Sequence, residues 1–306
     1  MQLNPGACWI LVKRVSTSWI DDYAPSMGAA LAFYTMFSLA PLLLIVISVA
    51  GLVFGQDAAR GEIAAQLQSL MGKRGASAVQ DLLASVQQPA EGTAATVLGL
   101  VLLFVGATSV FGELQNSLDR IWRAPVRDKV AGWLSLVRSR LMSFGMVMAI
   151  GFLLMVSLVA SAGLAAMGRW WDTMFGGWYL LALATNAVVD FLLAAVLFAL
   201  IYKVMPRVHV QWRDVWIGAV FTALLFTIGK TLIGLYVGRS GVTSGFGAAG
   251  SLVVVLLWVY YSAQIFLIGA EFTWVYANAF GSRRVTGEQH DPMISTPERL
   301  EQVLNH

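Results

Sequence analysis

No charged side chain occurs between Asp22 and Asp57. About 20 apolar residues, each rising about 1.5 Å along a helix, cross the roughly 30 Å hydrocarbon layer of a bilayer, so this run is long enough to span a membrane. The rest of the chain has the same character, because 58% of its 306 residues are hydrophobic and only 12% are charged. This composition excludes a soluble globular protein and predicts an integral membrane protein.

Comparable apolar runs predict six transmembrane helices. Their approximate bounds are 28–54, 94–112, 141–166, 178–202, 215–237 and 250–279. The runs are too long for barrel strands and lack the alternation of a lipid-facing barrel. The predicted fold class is therefore all-α, a polytopic membrane protein with six transmembrane helices over residues 1–282 and a polar tail over 283–306.

The positions of the basic residues predict how the spans are oriented. Fourteen of the 20 lysine and arginine residues lie in the N-terminal segment, the second and fourth loops and the tail. Lysine and arginine concentrate in the cytoplasmic loops of membrane proteins. We therefore expect both termini to be cytoplasmic and the loop 55–93 to lie on the opposite side.

Two segments outside the predicted spans have helical periodicity. Residues 9–20 place apolar groups on one face beside Lys13 and Arg14, which suits a helix in the membrane interface, although a simple tether before the first span fits as well. In the loop 55–93, apolar residues recur at helical spacing on both sides of a break from Gly72 to Gly75, which predicts an amphipathic hairpin. They are Ile63, Leu67, Leu70, Val79, Leu82, Leu83 and Val86.

The second loop carries a strip of six basic residues that are interleaved with apolar ones. They are Arg120, Arg123, Arg127, Lys129, Arg138 and Arg140. Such a strip attracts anionic lipid by about 1 kcal/mol per cation near the surface. The strip therefore predicts membrane lipids as partners. The net charge of only +3 argues against a nucleic-acid partner.

Three ionisable residues lie within the predicted spans, namely Asp190, Lys230 and Glu271. A charge at a helix centre costs about 2.5 to 3.5 kcal/mol on the insertion scale, so each needs a partner or a wet cavity. The helical rise places Asp190 and Lys230 within about 10 Å of each other in depth. We expect an ion pair between them, acting either as a static clamp or as part of a substrate or ion path.

The last predicted helix carries a polar stripe. Tyr260, Gln264 and Glu271 are spaced by four and seven residues, which puts them on one helical face. Together with polar or helix-breaking positions on the first span, they predict either the lining of a substrate or ion pathway or simple interhelical hydrogen bonds. The first-span positions are Tyr34, Ser38 and a structural helix break at Pro41.

The sequence predicts neither an enzyme nor a cofactor. The single cysteine, Cys8, excludes an internal disulfide, and the three histidines are isolated, so we expect no metal site. The GxGxxG match from Gly245 to Gly250 precedes a membrane span rather than linking a strand to a helix, which makes it accidental. No P-loop or GxSxG motif is present, so any transport must draw on ion gradients or on a partner protein.

Three separated blocks resemble the YihY/BrkB family of bacterial inner-membrane proteins, once labelled ribonuclease BN. The blocks read AALAFYTMFSLAP from Ala29, GATSVFGELQNSLDRIW from Gly106 and FGAAGSLVVVLLWVYYSAQIFLIGAEF from Phe246. The resemblance implies a six-helix protein of the cytoplasmic membrane with export or transport roles linked to envelope lipid or solutes. The resemblance supplies no catalytic residues. The sequence lacks the clustered metal ligands that metal-dependent RNA hydrolysis needs, so the ribonuclease label does not fit.

Two function hypotheses follow. The first is a secondary transporter or exporter of envelope lipid or small solute, whose polar cavity lies between helices. The second is a non-transporting scaffold that organises an envelope complex through the loop 55–93 and the basic strip. The cargo, the direction, the coupling ion and the oligomeric state stay open, with a homo-oligomer among the options.

Overall fold

The computed structural model describes residues 5–87, 109–125, 179–239 and 249–283. These residues form helices joined by short turns, with no strand among them. The helices are α1 (Pro5–Asp21), α2 (Ala24–Phe54), α3 (Gln56–Gln87), α4 (helical over 109–121), α5 (Tyr179–Val204), α6 (Trp212–Arg239) and α7 (Gly250–Ala279). The all-α class is therefore confirmed for the described part of the chain.

Three of the described helices contain segments long and apolar enough to cross a membrane. The segments are Ala187–Val204 in α5, Trp212–Val237 in α6 and Gly250–Ala279 in α7. The first span is also helical, and its Ala24–Ala40 portion forms a shorter apolar segment. The predicted bounds of α2, α5, α6 and α7 agree with the observed helices to within a few residues. The predicted span 141–166 and most of 94–112 lie outside the described residues, so six spans remain a prediction.

The helix α2 continues through Pro41. Proline in a helix interior removes one backbone hydrogen bond, but packing in a membrane protein lets the helix resume beyond it. A single helix runs from Ala24 to Phe54, so the predicted break at Pro41 does not divide the first span.

The predicted hairpin in the loop 55–93 is present as α3. Gly72 has a φ of 74° inside this element, a left-handed conformation that favours glycine, and it divides α3 into two helical arms. Apolar side chains of both arms pack against the ends of α2, α6 and α7 in one buried cluster. The cluster includes Ile47, Ile63, Leu67, Met71, Val79, Leu83, Val237 and Val254. Thus α3 is a packed cap on one end of the bundle.

A second buried cluster lies toward the other end and joins α5, α6 and α7 to the start of α2 and to α4. Its largest fully buried side chains are Trp122 and Tyr202. The Tyr202 hydroxyl donates to the Phe266 carbonyl at 2.8 Å and lies 3.0 Å from the Thr222 hydroxyl. This contact satisfies the buried phenol and links α5, α6 and α7 at one point.

Small residues allow α6 and α7 to cross closely. A Cβ atom added at Gly269 would overlap the Thr222 hydroxyl and the Tyr202 hydroxyl, and one added at Gly218 would overlap the Thr273 side chain. Each of these threonines donates to the carbonyl of a helical residue four positions earlier. In lipid, no hydrophobic effect drives helices together. Close packing at such crossings therefore stabilises their association.

The N-terminal segment is helical, as predicted, over Pro5–Asp21. Val15 is buried and Trp19 packs against the main cluster, whereas Trp9, Val12 and Ile20 are exposed. Trp19 therefore contacts the bundle rather than lipid. The helix has one side on the bundle and an apolar side that is free to contact lipid.

The α6–α7 crossing predicts different effects for the same substitution at two glycines. Gly269→Ala should lower stability by about 1 to 3 kcal/mol, because the added methyl group overpacks the crossing. Gly234→Ala, where a Cβ meets open space, should leave stability unchanged or raise it by up to about 1 kcal/mol through helix propensity. Thermal unfolding in detergent measures both. Equal stability of the two variants would show that the helices do not cross here.

Candidate functional site

Two residues of the predicted polar stripe, Gln264 and Glu271, face the corner where α1 ends and α2 begins. The Gln264 amide donates to the Ala24 carbonyl at 3.4 Å. A Cβ atom at Gly28 would overlap this amide, so glycine at that position lets α2 approach the stripe. The Gln264 carbonyl oxygen is buried without a hydrogen bond. The stripe is thus a polar seam between α2 and α7.

Glu271 is the most unusual side chain of this seam. Its side chain is 0% exposed, and neither carboxyl oxygen has a partner with hydrogen-bond geometry. A buried ionised carboxylate with no donor is strongly disfavoured. The acidic group that interacts with it most strongly is Asp22, which lies close enough for the two carboxyls to interact directly although no well-formed hydrogen bond joins them.

Asp22 lies between α1 and α2 and is half-buried. Burial is the largest influence on this group and raises its pKa above the usual 3.8. The interaction with Glu271 and the positive charges of Arg123 and Arg120 oppose that rise, and the charge of Asp21 adds to it. The burial effect wins, so Asp22 takes up a proton more readily than an exposed aspartate does.

Two arginines at the end of α4 close the site. The Arg120 guanidinium lies 5.1 Å from the centre of the Tyr23 ring, and that of Arg123 lies 4.4 Å from the centre of the Trp274 ring. Both distances fit cation–π contacts. The arginines therefore connect α4 to the α1–α2 corner and to α7, while their charges face Asp22.

The backbone is strained at the same place. Within the described ranges, Tyr23 (φ 57°) and Arg123 (φ 49°) are the two residues other than glycine with positive φ. A non-glycine residue in this region costs of order 1 to 3 kcal/mol and persists only where the surroundings hold it. Such outliers concentrate at functional sites. Here both flank the Asp22–Glu271 pair.

We call this end of the bundle the charged end, because it carries Asp22, Asp119, Asp214 and Arg283. Further polar contacts stabilise it. The buried Asp214 carboxylate accepts from the Ser282 amide and hydroxyl, which joins the start of α6 to the chain beyond α7. Arg283 donates to the His209 carbonyl at 3.1 Å and lies over the Trp122 ring. These bonds fix the frame that surrounds the pair.

Asp119 and Arg207 join α4 to the turn between α5 and α6. The Arg207 amide donates to one Asp119 oxygen at 2.7 Å, and the guanidinium lies 3.3 Å from the other, within ion-pair distance but without hydrogen-bond geometry. Burial raises the pKa of Asp119, and the amide and charge of Arg207 oppose that rise. Because one Asp119 oxygen accepts a hydrogen bond from a backbone amide, its site differs from that of Glu271, whose oxygens have no donor among the described residues.

The predicted ion pair between Asp190 and Lys230 is wrong. Both residues are described, and no ion pair joins them. The buried face of α5 is formed by Ala195, Phe198, Ala199 and Tyr202. At about 100° per residue, Asp190 lies roughly 130° around the helix from the centre of that face, and its side chain is exposed. Depth alone could not show which way the side chain points.

The other predicted site residues have mixed outcomes. Ser38 is buried but donates to the Thr35 carbonyl of its own helix at 3.2 Å, and Tyr34 packs edge-on against Phe33. Tyr260 is partly buried on α7. Of the basic strip, Arg120 and Arg123 are exposed at the charged end. The remaining members lie outside the described residues. They are Arg127, Lys129, Arg138 and Arg140.

The polar seam is closed in this conformation, because its unpaired oxygens on Gln264 and Glu271 are shut off from solvent. Two open clefts of about 350 and 240 Å³ lie instead along the α3 hairpin, lined by residues such as Gln68, Lys73 and Gln80. In the described part of the chain, no group of three or more His, Cys, Asp or Glu residues could hold a metal ion.

Asp22 is a site residue that was not predicted from the sequence. Asp22 marks one border of the uncharged run, and a charge at a border is normally exposed. The small residues Ala24 and Gly28, which follow Asp22 and contact α7, are the signal that could have indicated a buried corner.

The raised pKa of Asp22 predicts a pH-dependent effect of Asp22→Asn. Below about pH 4 both the folded and unfolded wild type carry the neutral acid. As pH rises through the folded pKa, the unfolded chain ionises Asp22 freely, whereas the folded chain must either keep the proton or ionise a half-buried group. The free energy of unfolding of the wild type therefore falls. The unfolding temperature of Asp22→Asn relative to wild type should therefore rise between pH 4 and 7.

The matched control is Asp21→Asn, because Asp21 is adjacent and exposed. Its unfolding temperature relative to wild type should change little over the same range. A constant difference between Asp22→Asn and wild type at every pH would contradict burial of the Asp22 carboxyl.

Comparisons with known proteins agree with the helical membrane architecture. The profile of the family described as virulence factor BrkB matches residues 15–293. A UPF0761 membrane protein of Pseudomonas aeruginosa is 29% identical over 253 residues, covering 82% of this chain and 59% of that protein. Its counterpart in Tolumonas auensis is 27% identical over 270 residues, covering 82% and 80%. A third, in Ralstonia nicotianae, is 31% identical over 255 residues, covering 82% and 55%.

The chain thus spans 59% of the length of the Pseudomonas aeruginosa relative. No solved structure matches it. The family profile covers most of the chain, including every helix of the charged end from Val15 onward. The chain is a membrane protein and belongs to the family described as virulence factor BrkB.

Proposed function

We propose that the protein is a secondary transporter that moves an envelope lipid or a small solute along the seam between α2 and α7. The observation that carries this proposal is the fully buried Glu271 carboxyl without a hydrogen-bond donor. Ionisable groups inside membrane spans are costly, and they mark ion and substrate pathways. A helix that served only as a static strut would be more stable with an apolar residue at this position.

The packing supports a division into a fixed part and a part that opens. The helices α5, α6 and α7 are held by the Tyr202 contacts and by the glycine crossings. The contact between α2 and the polar stripe rests on the longer Gln264 hydrogen bond of 3.4 Å. Movement of the α1–α2 corner away from α7 would expose Gln264 and Glu271 to water while the fixed part stays packed.

The basic residues support a location in the bacterial inner membrane with both termini in the cytoplasm. Under this orientation the charged end faces the cytoplasm and α3 caps the opposite side. The exposed Arg120 and Arg123, with the rest of the basic strip, would contact anionic lipid headgroups. We assign no catalytic activity to the protein.

The alternative function is a scaffold that does not transport. The observation in its favour is α3, whose apolar side is packed on the bundle while polar residues such as Gln68 and Lys73 line an open cleft. A rigid cap of this kind suits a partner protein on that side of the membrane. A scaffold, however, gives no reason for the unpaired carboxyl at Glu271.

The proposal predicts that vesicles containing the purified protein move cargo under an ion gradient. The probes are headgroup-labelled phosphatidylethanolamine and phosphatidylglycerol, followed by chemical quenching, and a panel of radiolabelled small solutes. Gln264→Leu removes a polar group of the seam, and Glu271→Gln removes its ionisable carboxyl, so each should reduce the flux by about tenfold or more.

The matched control is Asp190→Asn, which changes an exposed acid in another span and should leave the flux unchanged. Vesicles that move neither lipid nor solute, from protein that still co-purifies stoichiometrically with a partner, would favour the scaffold. Full flux in both seam variants would show that the seam is not the pathway.

A further inference from the structure

We propose that the Asp22 and Glu271 carboxyls form a proton-binding site that holds one shared proton in the closed state. This inference rests on the proposed function in one respect, since it makes the proton the coupling ion of the transporter. The site itself is argued from the geometry of the charged end and requires no cargo.

The Glu271 carboxyl lacks hydrogen-bond donors in the described part of the chain. Both of its oxygens are buried, and none of the described residues donates a hydrogen bond to them. Two ionised carboxylates in contact would repel each other in a region with little water. One proton placed between them removes one charge and supplies the missing donor. Acid pairs at short distance commonly share a proton for this reason.

Three other charged residues face the pair. Asp21 adds negative charge from the end of α1, and Arg120 and Arg123 add positive charge from the end of α4. The arginines are exposed and stack on Tyr23 and Trp274, so they neutralise the pair only from its edge. Neither one makes an ion pair with Glu271 within the described residues.

The carboxyls of the pair fit a proton better than a metal cation. Cations such as Ca²⁺ take six to eight oxygen ligands, and Mg²⁺ demands an octahedron. The described residues offer two carboxyls at this place, and no third acidic or histidine ligand completes a cluster. A proton needs only two oxygens, so it is the ligand that this donor set fits.

The backbone next to the pair is strained. Tyr23 and Arg123 both adopt left-handed conformations next to the pair. Relaxation of either residue would move the α1–α2 corner or the Arg123 side chain relative to Glu271. Loss of the proton leaves two negative charges, which favours such a movement and lets water reach the pair.

The proposed step involves one proton and no electrons. An O–H bond forms at one carboxyl when a proton arrives from water at the open site, and the second carboxylate accepts a hydrogen bond from it. The same O–H bond breaks when the site opens, and the proton returns to water. A bound proton and a closed seam are therefore linked, and each favours the other.

The test is infrared spectroscopy of the purified protein in lipid nanodiscs, titrated from acid to alkaline pH. Wild type should show the carbonyl band of a protonated carboxyl at neutral pH. Glu271→Gln should abolish this band. Asp22→Asn should shift its titration midpoint downward by about one pH unit or more, because a neighbouring negative charge is removed.

The matched control is Glu62→Gln, the same substitution in α3, where the Glu62 carboxylate accepts from Gln66. It should leave the band and its midpoint unchanged. A wild-type spectrum without the band at neutral pH overturns the proposal, whatever the variants do. A band that survives Glu271→Gln also overturns it, because the proton then lies elsewhere, for example on Asp119.

A comparison of sodium and choline buffers distinguishes a bound proton from a bound metal cation. The band should be the same in sodium and in choline buffers at equal pH. Loss of the band on adding sodium would mean that a metal cation occupies the pair, and the proton proposal would be wrong.

These results are separate from the test of transport. An expected spectrum together with vesicles that move no cargo would leave the proton site standing and reject the transporter. Flux that continues without a protonated pair would reject the proton site and leave the transporter standing.

Discussion

The arrangement of the charged end depends on one constraint, namely that a carboxyl group buried inside an apolar helix bundle must find a partner. Glu271 lies on α7 with no exposure to solvent, and Asp22 is the acidic group brought against it. Arg123 stacks on Trp274 one turn further along α7, and Tyr23 takes a strained conformation so that the α1–α2 corner can close. The corner, the end of α4 and the end of α7 therefore form one unit.

Glycine placement makes this unit possible. Gly28 lets the Gln264 amide reach the first turn of α2, and Gly269 lets α6 and α5 pack hydroxyl groups against α7. The face of α7 toward α2 thus carries unpaired carboxyl and amide oxygens, whereas the Thr222 and Thr273 hydroxyls at the crossing with α6 are hydrogen-bonded. This difference gives the proposed opening its direction, because water that enters on the α2 side would hydrogen-bond the unpaired oxygens.

Much of the fold could be predicted from the sequence, since apolar runs of membrane length identify their helices without knowledge of the packing. The bounds of α7 and the hairpin break at Gly72 are examples. The stripe of Gln264 and Glu271 was also predictable from spacing on one helix. The partners were not, because pairing depends on how helices rotate about their axes. Asp190 and Lys230 have similar depths yet do not meet, while Asp22 reaches Glu271 from outside the predicted spans.

The central claim is that residue 271 is enclosed by the α1–α2 corner, and thiol labelling tests it most directly. In a Cys8→Ser background, Glu271→Cys is compared with Asp21→Cys, an exposed position at the same corner. Using a water-soluble maleimide on the protein in nanodiscs, we expect the cysteine at position 271 to react at least a hundredfold more slowly. Equal labelling rates would show that position 271 is open to water and would contradict the account.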